Sequence, residues 1–169
     1  MRKIEIYTAS TVRGIRRQNG AAYYMIRSEK AAKLFKSDFY NKNRDGAEVY
    51  ALMRAFVRAL TKDGKTGKTN LSQKENTEEE TIVEVYTISN YVRAGFKSLA
   101  QWQRGGWKKE NGSRIANAEE WETIYRCCDA LGDIHIRAAS PERQQEFEQK
   151  ILALEGRTGK EKKKEERKE

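Results

Sequence analysis

Residues 81–95 read TIVEVYTISNYVRAG and place a strand directly before a helix. The first eight residues alternate β-branched or aromatic side chains with polar ones, which is typical of a half-buried strand. Ser89 has a side chain of the kind that caps helix N-termini, and residues 90–103 are predicted to form the helix that follows. The stretch therefore predicts a strand-to-helix unit.

The sequence before this unit predicts three strands and a helix. Residues 3–8 and 21–26 read as strands, and residues 32–39 form a third, less regularly alternating candidate. In residues 47–60 the apolar side chains recur every three or four positions, which indicates an amphipathic helix. Residues 62–80 are rich in Gly, Lys, Thr and Glu and predict a long loop.

The sequence after this unit predicts two more helices and one more strand. A basic, glycine-containing segment covers residues 104–114. It is followed by a predicted helix over residues 117–131, with Asn117 as the candidate N-cap. A short strand is predicted over residues 134–137, and Pro141 suits the first position of a last helix.

The composition indicates one domain with a charged tail. Of 169 residues, 37% are hydrophobic, which is enough for a single core, and we expect a domain over residues 1–156. Residues 157–169 are rich in Lys and Glu and contain no apolar residue, so they predict a solvated tail that is either disordered or a frayed helix. One His and two adjacent Cys are too few for a zinc site or a disulfide scaffold. The sequence shows no membrane segment, which favours a cytoplasmic protein.

The net charge of +9 favours a polyanionic partner. The tail has seven Lys or Arg residues against four Glu, so the body keeps a net charge of +6. Excess positive charge on a folded body is common in proteins that bind nucleic acid.

Four spaced motifs occur along this order of strands and helices. Residues 4–10 read IEIYTAS, residues 86–95 read YTISNYVRAG, and Ala47-Glu48 opens the first apolar helix. The fourth motif, within residues 102–121, combines tryptophans, glycine and lysines. Together the motifs resemble the ribonuclease H family, whose first-strand motif ends Thr-Asp-Gly-Ser and whose later motif reads Thr-Asp-Ser-Gln-Tyr-Val-x-x-Gly. The fourth motif is similar to the basic protrusion of the type 1 bacterial enzymes.

The resemblance implies an α/β, ribonuclease H-like fold over most of the body. Its five-stranded mixed sheet has three antiparallel strands and then parallel strands, with helices on its faces. It also implies a nuclease site in which carboxylates bind two divalent ions, usually Mg²⁺. The matching positions here are Ala9, Glu48, Ile88 and Phe147. Three of these side chains cannot bind a hard cation, so we predict an inactive protein without a cofactor, and Mg²⁺ is expected only if an active alternative holds.

Glu48 has two interpretations. It is either a remnant metal ligand or an exposed or edge glutamate that the helix dipole favours near a helix start, and the second is the preferred prediction.

The resemblance further implies a nucleic-acid duplex as partner, either an RNA–DNA hybrid or double-stranded RNA. Lys and Arg neutralise phosphates, Trp rings pack on sugars or bases, and an Asn side chain hydrogen-bonds in a minor groove. The candidate residues lie in the loop after the first strand and around the basic protrusion. They are Arg13, Arg16, Arg17, Lys97, Trp102, Arg104, Trp107, Lys108, Lys109, Arg114 and Asn117. The alternative is a solvated surface with tryptophans that pack in the core, and this is the expectation for Trp121.

Two other functions stay open at the level of sequence. The first is a structural subunit that uses this fold to contact a protein partner through the tail or the loop over residues 62–80. The second is a divergent nuclease that cuts RNA–DNA hybrids through an altered metal site. The sequence sets no oligomeric state.

Overall fold

The structure, a computed structural model, describes residues 2–61 and 80–167, with side chains as far as residue 156. The chain divides into two compact units, residues 1–138 and 139–169. The first unit holds the sheet and three helices, and the second holds one long helix.

The first unit is built on a five-stranded mixed sheet. Its strands are β1 (Arg2–Ser10), β2 (Gln18–Arg27), β3 (Ala32–Lys42), β4 (Thr81–Thr87) and β5 (Asp133–Ala138). Their order in the sheet is β3-β2-β1-β4-β5. The pairs β3–β2 and β2–β1 are antiparallel, whereas β1–β4 and β4–β5 are parallel. The predicted fold class is therefore confirmed.

Side-chain caps set where the helices begin. The helices are α1 (Arg44–Leu60), α2 (Asn90–Arg104), α3 (Ala118–Leu131) and, in the second unit, α4 (Pro141–Arg167). The Ser89 hydroxyl accepts a hydrogen bond from the Val92 N–H at 3.1 Å, which confirms the predicted cap of α2. Helix α1 begins three residues earlier than predicted because the Asn43 side chain accepts from the Gly46 N–H at 2.9 Å.

The core of the first unit lies between the central strands and the three helices. Ile6 and Val85 of the sheet and Phe56 of α1 are fully buried. Trp121 of α3 is also fully buried, which confirms its predicted packing role. A Cβ on Gly95 would lie 2.4 Å from Cζ2 of Trp121, so α2 approaches this ring only because residue 95 lacks a side chain.

The C-terminal segment continues as helix. Helix α4 extends to Arg167, so residues 157–167 are helical, and the domain boundary predicted after residue 156 stays a prediction. Lys and Glu have high helix propensity, which explains how a segment without apolar residues extends the helix. Most of the loop predicted over residues 62–80 lies outside the described residues. Within the described chain, none of the helices combines the length and the apolar character needed to cross a bilayer.

Candidate functional site

Two of the positions that match the family's carboxylates lie at the carboxyl ends of adjacent parallel strands. Tyr7 of β1 pairs with Tyr86 of β4, and Ala9 and Ile88 each follow two residues later. In open α/β sheets ligands bind at this edge. Ala9 is buried, whereas the Ile88 residue is 49% exposed. Neither side chain has an oxygen or nitrogen atom, so neither can bind a metal ion.

Glu48 is buried, which corrects the prediction of an exposed glutamate. It lies in the first turns of α1, is only 5% exposed, and its Oε2 atom has no hydrogen-bond partner among the described residues. Burial raises the pKa of Glu48 to about 7, and the positive charge of Arg13 offsets part of this effect. The sequence showed the residue type and its place near a helix start, but it did not show the burial of the side chain.

The residues present do not fit a two-metal nuclease site. The fourth position, Phe147, is a buried phenylalanine on α4, in the second unit. Phenyl, methyl and sec-butyl groups offer no ligand to Mg²⁺, which binds oxygen atoms. Within the described residues, no group of three or more His, Cys, Asp or Glu side chains could hold a metal ion. Glu48 is the single carboxylate among the four matching positions.

The β1–β2 loop, residues 11–17, presents three of the predicted cations to solvent. The exposed side chains are Arg13, Arg16 and Arg17. The Thr11 N–H donates to the Ala21 carbonyl at 3.0 Å, and the Arg17 guanidinium donates to the Asn41 carbonyl at 3.1 Å. The loop is therefore held at both ends, and its cations are available to a ligand.

The basic protrusion, residues 104–114, is a compact turn. Lys108 and Arg114 form an isolated antiparallel bridge, and the Gly112 N–H donates to the Lys109 carbonyl at 2.9 Å. The predicted cations in and near the protrusion are all exposed; they are Lys97, Arg104, Lys108, Lys109 and Arg114. The protrusion therefore holds its cations on a hydrogen-bonded turn.

Trp107 corrects the prediction that it packs on nucleic acid. Its ring is buried in the core and meets Tyr125 edge-on, with 6.1 Å between the ring centroids. Trp102 is half-buried, and its ring lies 5.6 Å from that of Trp121. Both rings therefore anchor the basic protrusion to the core. The pattern of tryptophans among lysines could not separate these anchors from rings that face a ligand.

Asn117 occupies the N-cap position of α3 but does not cap it. Its φ angle is +60°, and its side chain makes no capping hydrogen bond. Instead, its Nδ2 donates to the Tyr91 hydroxyl at 3.1 Å and links α3 to α2. The predicted capping role is therefore wrong, and a contact of Asn117 with nucleic acid stays a prediction.

Two exposed apolar side chains are absent from the predicted site residues. Ile15 in the β1–β2 loop is 87% exposed, and Tyr40 near the end of β3 is 80% exposed. A signal for Ile15 was present, because an apolar residue between Gly14 and Arg16 belongs to no periodic apolar run. Tyr40 follows the buried Phe39, so alternation along the strand places it on the opposite face.

Sequence comparisons show a short similarity to a known protein. No family profile matches the chain. A protein of Bradyrhizobium sp. (strain ORS 278) named Ribonuclease H is 42% identical over 43 residues, which span 25% of this chain and 28% of that protein's length. Because the match spans only a quarter of this chain, it does not show that the chain has the relative's activity.

Several solved structures share the fold at low sequence identity. LC9-RNase H1, a type 1 RNase H with the type 2 active-site motif, has a TM-score of 0.59 and 17% identity, covering 83% of this chain and 64% of that one. LC11-RNase H1, solved in complex with RNA/DNA hybrid, has a TM-score of 0.52 and 18% identity over 82% of this chain and 86% of its own. RNase H1 from Halobacterium salinarum NRC-1 has a TM-score of 0.50 and 14% identity over 83% of this chain and 90% of its own. The resemblance predicted from the motifs is thereby confirmed, and the chain has the ribonuclease H fold.

Proposed function

We propose that this chain is a catalytically inactive ribonuclease H-like protein that binds nucleic-acid duplexes through a basic surface. The observation that carries the proposal is the set of exposed cations on the β1–β2 loop and the basic protrusion, two segments that hydrogen bonds hold in place. Cations on such segments lose little freedom when phosphates bind, which favours affinity.

The proposed inactivity rests on the chemistry of the matching positions. A two-metal nuclease needs several carboxylates to hold its ions and to place the attacking water. Ala9, Ile88 and Phe147 supply none. Burial raises the pKa of the remaining carboxyl, Glu48, to about 7, so about half of these carboxyls are protonated near pH 7. A duplex bound at the loops would therefore stay intact.

The ligand to test first is an RNA–DNA hybrid. LC11-RNase H1 is a protein of the same fold that was solved with such a hybrid. Double-stranded RNA is the second candidate, because cations on phosphates read charge and shape more than sequence. The cytoplasmic location stays a prediction.

The binding test is fluorescence anisotropy with a labelled hybrid over a range of salt concentrations. Arg16→Ala combined with Arg17→Ala should weaken binding and reduce the salt slope by about 2, because each lost phosphate contact removes about 0.9 from that slope. The matched control, Lys30→Ala combined with Arg126→Ala, removes the same charge from exposed residues outside both segments. It should leave the slope nearly unchanged. Equal effects of the two double variants would contradict a localised binding surface.

The test of inactivity is incubation of labelled hybrid with excess protein in Mg²⁺ or Mn²⁺. Intact hybrid is expected after times that correspond to many turnovers of an active nuclease. Cleavage that Glu48→Gln abolishes would overturn the proposal and establish the divergent nuclease. Absence of binding to hybrid, duplex RNA and duplex DNA would also overturn it and favour the subunit with a protein partner.

A further inference from the structure

Duplex binding by charge does not account for two exposed apolar side chains, one in the β1–β2 loop and one near the end of β3. Ile15, 87% exposed, and Tyr40, 80% exposed, are the most exposed large apolar residues in the described part of the chain. An aromatic ring and an aliphatic side chain that stay this exposed do not contribute the free energy that their burial would supply. Both residues lie next to segments that carry the proposed phosphate contacts.

Hydrogen bonds between the β1–β2 loop and the β3–α1 connection tie these two residues to one corner of the fold. The Arg44 N–H donates to the carbonyl of Gly14, the residue before Ile15, at 2.9 Å. The carbonyl of Asn41, the residue after Tyr40, accepts from the Arg17 guanidinium at 3.1 Å. The Asn41 N–H donates to Oδ1 of Asn19 at 3.0 Å. We call residues 13–17 and 40–44 the loop corner.

A buried residue precedes each of the two exposed residues in the chain. Val12 and Phe39 are buried in one small apolar cluster with Ala47 of α1. Ile15 and Tyr40 are therefore presented on an ordered support, and they are not part of a core left incomplete. A ring on such a support loses little conformational freedom on contact with a ligand.

The charge around the two residues indicates which ligand they suit. Three arginines of the loop corner, Arg13, Arg16 and Arg17, are also exposed, and Arg17 bonds to the residue after Tyr40. Protein-binding surfaces have an apolar centre depleted of charge, whereas here charged residues follow Ile15 directly in the chain. Aromatic rings next to a cationic track are typical of sites for unpaired nucleotides, on which bases stack.

We propose that Tyr40, with Ile15 of the same loop corner, binds an unpaired nucleotide at the end of a duplex, so that the preferred ligand is a junction between duplex and single strand. Base faces inside a duplex are covered by their neighbours, and only an unpaired base offers a free face to a tyrosine ring. The arginines of the loop corner would neutralise the adjoining phosphates. This inference rests on the proposed duplex binding and adds which kind of duplex end the protein recognises.

The test compares hybrids that share one duplex and differ in their ends: blunt, or with a five-nucleotide overhang of either polarity, in RNA or DNA. One overhang should raise the affinity about 5- to 160-fold over the blunt hybrid, the range that stacking of one base on an aromatic ring supplies. In Tyr40→Ala the ratio of the two affinities should fall towards one, and Tyr40→Trp should keep it. Ile15→Ala should lower it in part, whereas the control Leu152→Ala, at an exposed apolar residue of α4, should not.

A second readout locates the contact. A 2-aminopurine at the first unpaired position should be quenched by the wild-type protein and by Tyr40→Trp, and Tyr40→Ala should lose this quenching. Blunt hybrid that binds with no gain from any overhang would overturn this inference and leave duplex binding intact. A gain that persists in Tyr40→Ala would overturn it as well. Absence of binding to every hybrid would overturn both proposals.

Discussion

The buried carboxyl of Glu48 makes the stability of the fold depend on pH. Its ordinary pKa is 4.5, and burial raises the pKa to about 7 in the folded protein. The folded state therefore holds the proton more tightly than the unfolded state. The stabilisation is fully present below about pH 4.5 and is lost as the pH rises through 7. At 1.36 kcal/mol per pKa unit, the loss amounts to about 3 kcal/mol for this carboxyl alone.

Glu48→Gln should remove this dependence, because the amide has nearly the same shape and does not ionise. The difference in unfolding free energy between Glu48→Gln and wild type should rise by about 3 kcal/mol in favour of the variant between pH 4.5 and pH 8. The change in this difference is the measured quantity, because any fixed cost of burying the amide cancels between the two pH values.

Urea denaturation followed by tryptophan fluorescence at several pH values measures both proteins. Glu119→Gln is the matched control, because Glu119 is an exposed glutamate on α3. It should give a free-energy difference from wild type that varies little with pH. A Glu48→Gln difference that stays constant from pH 4.5 to pH 8 would refute the burial of an ionisable Glu48 without a partner.

Three further predictions follow from contacts in the first unit. Gly95→Ala should lower the unfolding free energy by about 1–3 kcal/mol in urea denaturation, because its Cβ would lie 2.4 Å from the buried Trp121 ring. Asn43→Ala should lower it by about 0.5–2 kcal/mol, because the Gly46 N–H loses its capping acceptor. Burial raises the pKa of Cys128 to about 11, so a thiol reagent at pH 8 should modify it far more slowly in the native protein than in urea.

Each of these predictions has a matched control. Gly156→Ala should not destabilise, because nothing lies within 4 Å of a Cβ at that position, and equal losses for both glycines would contradict the Gly95–Trp121 contact. Asn43→Asp should retain stability, because Asp caps as well as Asn. For Cys128, similar modification rates in native and unfolded protein would show that the thiol is accessible.

The order of strands and helices along the chain could be predicted because its signals are local. Alternation over residues 81–88 identified β4, and the Ser89 cap gave the start of α2. Together with the resemblance that the motifs carry, these signals led to a mixed sheet that the pairing confirms. Residues 157–167 could not be assigned from a periodic pattern because they have no apolar stripe, and Lys and Glu extend the helix there by propensity.

The environments of individual site residues could not be predicted. Trp107 and the lysines after it are neighbours in sequence, but its ring turns into the core while the lysines face solvent. The direction depends on a backbone with φ of +63° at Trp107, an uncommon conformation for a bulky residue that no local pattern announces. Burial of Glu48 likewise is a tertiary property that its place near a helix start does not announce.

Glu48 and the proposed ligand surface depend on the same segment of chain. Val12 of the β1–β2 loop packs in one cluster with Ala47, the residue before Glu48, and Arg13 is the charge that most lowers the pKa of the buried carboxyl. The loop that offers its arginines to phosphates therefore also closes over the first turns of α1. With apolar residues at positions 9 and 88, no second carboxylate at those strand ends repels Glu48, so its raised pKa follows mainly from burial. In this environment burial favours the protonated form of Glu48, in which the carboxyl carries no charge that the fold would have to compensate.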